Sequence, residues 1–176
     1  MAPGSDLAAG LAPFVLTLEL DGASFARFNE LRQTHYLPER NLVPAHVTLF
    51  HRLPGERSRE IKALLAGLAA ERKRFAISAG EIKTLERGVA IFLHAPQLHA
   101  VREELAAEWR PFLTDQDRHG FRPHVTIANN IPAGEAQRIR LSIAASSLPR
   151  RIEAVGLHLW RYRDGPWQHE QLFRFR

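Results

Sequence analysis

Residues 46–50 read His-Val-Thr-Leu-Phe, and residues 124–128 read His-Val-Thr-Ile-Ala. In both segments apolar residues alternate with His and Thr, which is the pattern of a β-strand with one buried face. The composition predicts roughly 0.01 His-Val-Thr tripeptides by chance in a chain of this length, and there are two. The pair therefore indicates a duplicated motif.

The polar positions of the two motifs have the same arrangement. Side chains alternate between the faces of a strand, so His46 and Thr48 share one face, and His124 and Thr126 share one face of the second strand. A single histidine in a strand is more often structural than catalytic. Two histidines at equivalent places in a repeat favour function, since an approximate two-fold axis would bring equivalent strands face to face across a cleft.

The residues around each motif repeat the same order of elements. Strand, helix, strand, helix and strand patterns follow one another over residues 14–85, with Ser24 as the expected N-cap of the first helix. The order recurs over residues 88–163, where equivalent positions lie 75 and 78 residues further along the chain. An Asp164-Gly165 turn then predicts a hairpin with a C-terminal strand over residues 167–176.

This repeat predicts an α+β fold. We expect a single bilobal domain over residues 1–176, because each half is too small to bury its own faces well. Each of the two pseudo-symmetric units is expected to have an antiparallel sheet and outer helices, with the active cleft between the lobes. Residues 1–6 have turn-forming composition without periodicity and are expected to be disordered.

Composition narrows the classes of function. The chain of 176 residues contains no cysteine, which excludes disulfides, thiolate metal sites and a cysteine nucleophile and fits a reducing compartment. The apolar stretch at residues 7–18 contains Pro13 and lacks a basic flank, so neither a membrane span nor a secretory signal is expected, and we predict a cytoplasmic protein. A net charge of +5, with 21 Arg and 3 Lys, favours an anionic partner, although genome composition can also favour arginine.

Paired histidines across a cleft suit an in-line displacement at phosphorus. One neutral imidazole accepts the proton of the nucleophile, and the opposite imidazolium protonates the leaving oxygen. Neighbouring Thr hydroxyls can donate to the non-bridging oxygens. This chemistry requires neither a metal nor another cofactor, and we expect none. We also infer no obligate protein partner.

The motifs, one in each half of a duplicated chain, resemble those of the two-histidine (2H) phosphoesterase superfamily, in particular its 2′-5′ RNA ligase-like and cyclic phosphodiesterase branch. The resemblance covers nearly the whole chain. It implies a metal-independent activity on 2′,3′-cyclic phosphate or 2′-5′ linkages of nucleotides or RNA, with His46, Thr48, His124 and Thr126 at the catalytic positions. Family members often have a basic residue shortly after the second motif, where this chain has Ala-Asn-Asn.

Two further residues are candidates for substrate binding. Arg122 would share the cleft face and pair with phosphate if the strand begins that early, but it could equally be solvated. His51 points away from His46 in a regular strand, which favours a rim or structural role. Aromatic side chains that could stack a base, although core packing is favoured for each, are Tyr36, Phe50 and Trp160.

Other classes of function have less support. No HExxH, GxSxG, Walker or GxGxxG motif occurs, and the five-residue spacing of neighbouring histidines suits neither one helix face nor one strand face. The main alternative is a non-catalytic module that binds a nucleotide or an RNA end in the same cleft.

Overall fold

The computed structural model describes residues 12–176, so the prediction for residues 1–6 lies outside it. The strands of this part are β1 (Phe14–Leu20), β2 (Val47–Leu53), β3 (Phe75–Leu85), β4 (Gly88–His94), β5 (His124–Asn129), β6 (Ile152–Arg161) and β7 (Gln168–Arg174). The α-helices are α1 (Gly22–His35), α2 (Ser58–Glu71), α3 (Pro96–Trp109), α4 (Asp115–Arg118) and α5 (Ala133–Ala144). Within residues 12–176 no helix is both long enough and apolar enough to cross a membrane.

The strands form an antiparallel sheet in the order β2-β1-β6-β3-β4-β5, and β7 adds to β6 as the expected hairpin. The predicted α+β class with an antiparallel sheet and helices is confirmed. The pairing adds a feature that the repeat does not specify. The third strand of each half joins the first strand of the other, because β6 pairs with β1 and β3 pairs with β4. The two halves are therefore interlocked through their hydrogen bonds.

Burial in the motif strands follows the alternation of the sequence. Val47 and Leu49 are at most 1% exposed, and Val125 and Ile127 are fully buried. The His and Thr residues between them are only partly buried. Burying an aliphatic side chain contributes about 1.5–3 kcal/mol, so a one-residue slip of either strand would exchange the two faces at a large energetic cost.

Two boundaries differ from the sequence expectation. The N-cap of α1 is Asp21, whose carboxylate accepts a hydrogen bond of 2.9 Å from the backbone N–H of Ser24, so Ser24 is not the cap. The other carboxylate oxygen of Asp21 accepts from the N–H of Glu153 at 2.8 Å and ties the helix to β6. His46 lies one residue before β2, in the segment that leads into the strand.

The two motif strands lie at opposite ends of the sheet order and still contact one another. The sheet must therefore be strongly curved. Helix α1 of the first half packs on β5, and the short helix α4 of the second half packs on β2. Each motif strand is thus covered by a helix from the other half.

Gly88 sets the spacing between β4 and β5. A Cβ at this position would lie 2.3 Å from the carbonyl oxygen of Ala128, which is far inside van der Waals contact. Only glycine allows this approach, and the register of β5 beside β4 depends on it.

Candidate active site

Both motif histidines make the same hydrogen bond to the backbone, with the carbonyl oxygen two residues earlier in the chain. Nδ1 of His46 lies 2.7 Å from the carbonyl oxygen of Pro44, and Nδ1 of His124 lies 2.8 Å from that of Arg122. A carbonyl oxygen only accepts, so Nδ1 bears the proton in each ring. The Nε2 atoms are then the nitrogens that can exchange a proton with a substrate.

The environment of His46 favours its neutral form. Burial, together with the charges of Arg32, His124 and His51, lowers the pKa of His46 to about 4, while the hydrogen bond to Pro44 acts in the opposite direction. The effect of His124 on the pKa of His46 indicates that the two motif histidines are close together. At neutral pH His46 is therefore a neutral imidazole whose Nε2 can accept a proton.

The motif threonines have equivalent places in the sheet. Thr48 pairs with Thr17 of β1, and Thr126 pairs with Ala90 of β4. Both are partly buried on the same side of their strands as the motif histidines. Thr17, by contrast, is 2% exposed and accepts a hydrogen bond of 2.9 Å from the indole of Trp160, so its hydroxyl is already engaged.

Buried arginines bind the outer edges of the two motif strands. Arg32 of α1 donates from Nη1 to the carbonyl oxygen of Thr126 at 2.8 Å. Arg102 of α3 donates from Nε to the carbonyl oxygen of Leu49, also at 2.8 Å. Unpaired edge carbonyls are costly when buried, and each is here satisfied by a side chain from the other half.

A buried carboxylate completes the edge of β2. Asp117 of α4 is 2% exposed and accepts from the backbone N–H of His51 and of Arg52 at 2.8–3.0 Å. It also lies 3.0 Å from Nδ1 of His51. Burial raises the pKa of Asp117, but the hydrogen bonds from His51 and Arg52 outweigh it and leave that pKa below its ordinary value. The structure thus places the half-exposed side chain of His51 against Asp117.

Arg122 lies before β5 rather than in it, so it does not follow the strand alternation that the sequence suggests. Its guanidinium is exposed and lies 5.6 Å from the ring centre of Phe92. The Phe92 ring is in turn 5.3 Å from the His124 ring. Arg122 is therefore close to the second motif through Phe92.

The structure also brings aromatic residues beside His46 that sequence reasoning did not connect with it. The Trp167 ring lies 4.7 Å from the His46 ring, and the Trp160 ring lies 6.3 Å from Trp167. Of the three stacking candidates, Phe50 is fully buried against Trp109 and Tyr36 lies under the guanidinium of Arg32. Trp160 lies beside Trp167 and so faces this region. The position of Trp167 near this site could have been inferred from the β6–β7 hairpin, which the sequence predicts.

A cavity of about 150 Å³ adjoins His46. Its walls include the aromatic rings of Phe25 and Trp160, and its polar groups include Glu19 and His158. The carboxylate of Glu19 lies 3.2 Å from Nδ1 of His158, whose ring stacks on Trp160 at 3.7 Å. Flat apolar walls with a polar edge suit a planar heterocycle. Among the described residues 12–176, no group of three or more potential ligands is arranged to hold a metal ion.

Comparison with known proteins assigns the chain to a family. Residues 20–166 match the family described as the 2′-5′ RNA ligase superfamily. No curated protein sequence matches the chain significantly.

Solved structures of the same fold cover nearly all of the chain. TT0787 of Thermus thermophilus is 18% identical, with a TM-score of 0.65 over 93% of this chain and 98% of its own. Escherichia coli LigT in its apo form is 15% identical, with a TM-score of 0.61 over 94% of this chain and 98% of its own. At these identities the similarity establishes the fold.

Proposed function

The chain belongs to the 2′-5′ RNA ligase superfamily, and on this premise we propose that it is a metal-independent phosphodiesterase that acts on 2′,3′-cyclic phosphate or 2′-5′ phosphodiester bonds of nucleotides or RNA ends. Membership of this family supports phosphoesterase activity. The observation that carries the proposal is the matched pair of histidines, each with Nδ1 bound to a backbone carbonyl.

The proposed reaction assigns a role to each motif residue. Nε2 of His46 accepts a proton from water, and the water oxygen attacks phosphorus in line with the leaving oxygen. Protonated His124 gives its proton to that oxygen as the P–O bond breaks, so a cyclic phosphate becomes a phosphomonoester with a neighbouring hydroxyl. The low pKa of His46 supports its assignment as the base. The hydroxyls of Thr48 and Thr126 donate to the non-bridging oxygens.

The cavity beside His46 is proposed to hold the nucleoside part of the substrate. E. coli LigT has been crystallised with 3′-AMP, with ATP and with NADP⁺, which supports a nucleotide ligand for this fold. We also propose that residues 1–176 work as one domain in the cytoplasm, because both halves supply catalytic groups and the substrates are found there.

The proposal is tested by incubating the purified protein with 2′,3′-cyclic nucleotides and with 2′-5′ and 3′-5′ dinucleotides in excess EDTA. Products are identified by chromatography and ³¹P NMR. We expect turnover of a cyclic phosphate or a 2′-5′ bond that EDTA leaves unchanged. Activity lost in EDTA and restored by one divalent metal would contradict the metal-free mechanism. Saturable binding in calorimetry without any product would instead identify a binding module.

Phe25→Ala tests the nucleoside site. Phe25 is 37% exposed, so its removal should cost the fold little. We expect a KM about 5- to 150-fold higher for the nucleotide with kcat nearly unchanged, because a base–aromatic contact contributes about 1–3 kcal/mol. Leu141→Ala, at an apolar residue 53% exposed on α5, is the matched control and should leave KM unchanged. An unchanged KM in Phe25→Ala would place the base elsewhere.

A further inference from the structure

Arg32 donates hydrogen bonds to the segment that precedes the first motif and to the strand that contains the second. It is 4% exposed, and its Nε donates to Oδ1 of Asn41 at 2.8 Å and to the carbonyl oxygen of Val43 at 3.0 Å. Its Nη1 donates to the carbonyl oxygen of Thr126. The first two acceptors lie three to five residues before His46, and the third lies within the other motif.

On the basis of the proposed function, we propose that Arg32 is a positioning residue of the two-histidine reaction. Its planar guanidinium sets the separation between the His46 segment and the Thr126 strand, and its charge favours the neutral imidazole of His46. A guanidinium presents its donors in a fixed fork, which a flexible ammonium group does not reproduce. A displacement of about 1 Å between reacting groups can cost 10²-fold in rate.

The surroundings of Arg32 leave its positive charge effective. Its hydrogen-bond acceptors are neutral amide and carbonyl oxygens, and its guanidinium lies 3.9 Å from the ring centre of Tyr36. Burial lowers the pKa of both Arg32 and Arg102, and the partner that opposes this effect is the phenol of Tyr36 for Arg32 but the carboxylate of Asp117 for Arg102. Two buried arginines of similar structural role therefore differ in the field that they exert on the site.

The charged groups facing His46 come from several elements. Arg32 of α1, His124 of β5 and His51 of β2 each disfavour its protonation. Glu19 of β1 and His158 of β6 line the same cavity and lie within hydrogen-bonding distance of one another. Arg32 is the one with a permanent positive charge among these five groups.

The test compares Arg32→Gln, Arg32→Lys and the control Arg102→Gln by the pH dependence of kcat/KM and by NMR titration of the His46 imidazole. Arg32→Gln removes the charge, so we expect the acidic limb of the pH profile of kcat/KM and the His46 pKa to rise by about one unit. The rate should also be at least ~10-fold lower. Arg32→Lys retains the charge and loses the fork, so the rate should fall by about 10-fold without a shift of the limb. Arg102→Gln should lower thermal stability and leave the limb in place.

These outcomes separate the inference from the proposed function. A wild-type protein without turnover on the whole panel refutes the proposed function, and the NMR titration still decides whether Arg32 controls His46. An active wild type whose limb and His46 pKa are unchanged in Arg32→Gln refutes the inference. If Arg32→Gln does not fold, Arg32→Lys decides, because a full rate or a shifted limb in that folded variant also refutes it.

Discussion

Replacing His46 or His124 by alanine is expected to lower kcat/KM for the cyclic phosphate or 2′-5′ substrate by at least ~10²-fold. Each variant loses one of the two proton-transfer partners, and proton transfer in the transition state accounts for a factor of about 10²–10⁴. Steady-state kinetics on the substrate that the wild type prefers measures the effect. The double variant should be little worse than either single one, because groups that act as a unit are not additive.

The pH profile gives a second readout of the same substitutions. Turnover by the wild type should be bell-shaped, with an acidic limb of kcat/KM near pH 4, because His46 below its pKa of about 4 is protonated and cannot accept a proton. Above that pKa the base is available, so activity rises with pH across this limb. Either alanine variant should alter the profile, because each removes one of the two groups whose protonation state the reaction requires.

His94→Ala is the matched control for the histidine variants. His94 is exposed at the end of β4 and is not part of either motif. Its substitution should leave rate and pH profile unchanged. Circular dichroism verifies that each variant is folded. If folded His46→Ala and His124→Ala both keep the wild-type rate, the assignment of the cleft is wrong.

The second large effect is expected for Thr48→Val and Thr126→Val. Valine retains the β-branched shape that suits a strand but lacks the hydroxyl donor. Loss of one preorganised donor to a developing oxyanion costs about 10²–10³ in kcat, so turnover should fall by this factor while the fold survives. The limbs of the pH profile should stay in place, because the titrating groups are intact.

Thr84→Val serves as the control for the threonine variants. Thr84 is exposed on β3, pairs with Val89 and is not part of either motif. It should have wild-type kinetics. Unchanged turnover and affinity in Thr48→Val and Thr126→Val would make the threonines ordinary strand residues. A displaced pH limb would instead mean that a hydroxyl tunes the neighbouring imidazole.

Local patterns were sufficient for the element order and for the orientation of the motif side chains. The alternation in residues 46–50 and 124–128 assigns Val47 and Val125 to the core and the motif His and Thr to the other side, as observed. This works because the period of a strand is a property of neighbouring residues. The family resemblance that rests on the motif pair is confirmed by the match over residues 20–166.

The ends of the helices and strands were harder to predict from the sequence, because they depend on individual hydrogen bonds. Ser24 is a good N-cap by residue type, but Asp21 takes that role since its carboxylate bonds Ser24 and Glu153 at once. The second bond involves a strand more than a hundred residues away. Such a partner has no signature in the local sequence.

The strand faces therefore follow from the alternation of neighbouring residues, and the repeat with its two motifs follows from comparing segments 75–78 residues apart in the sequence. Only the tertiary structure shows that the third strand of each half pairs with the first strand of the other half. It also shows that Arg32 donates hydrogen bonds to both motif segments. It also decided that His46 titrates at a pKa of about 4, because burial and the charges of distant residues determine that pKa. Strand pairing and electrostatic fields depend on distance in space, and residues far apart in the chain supply most of both.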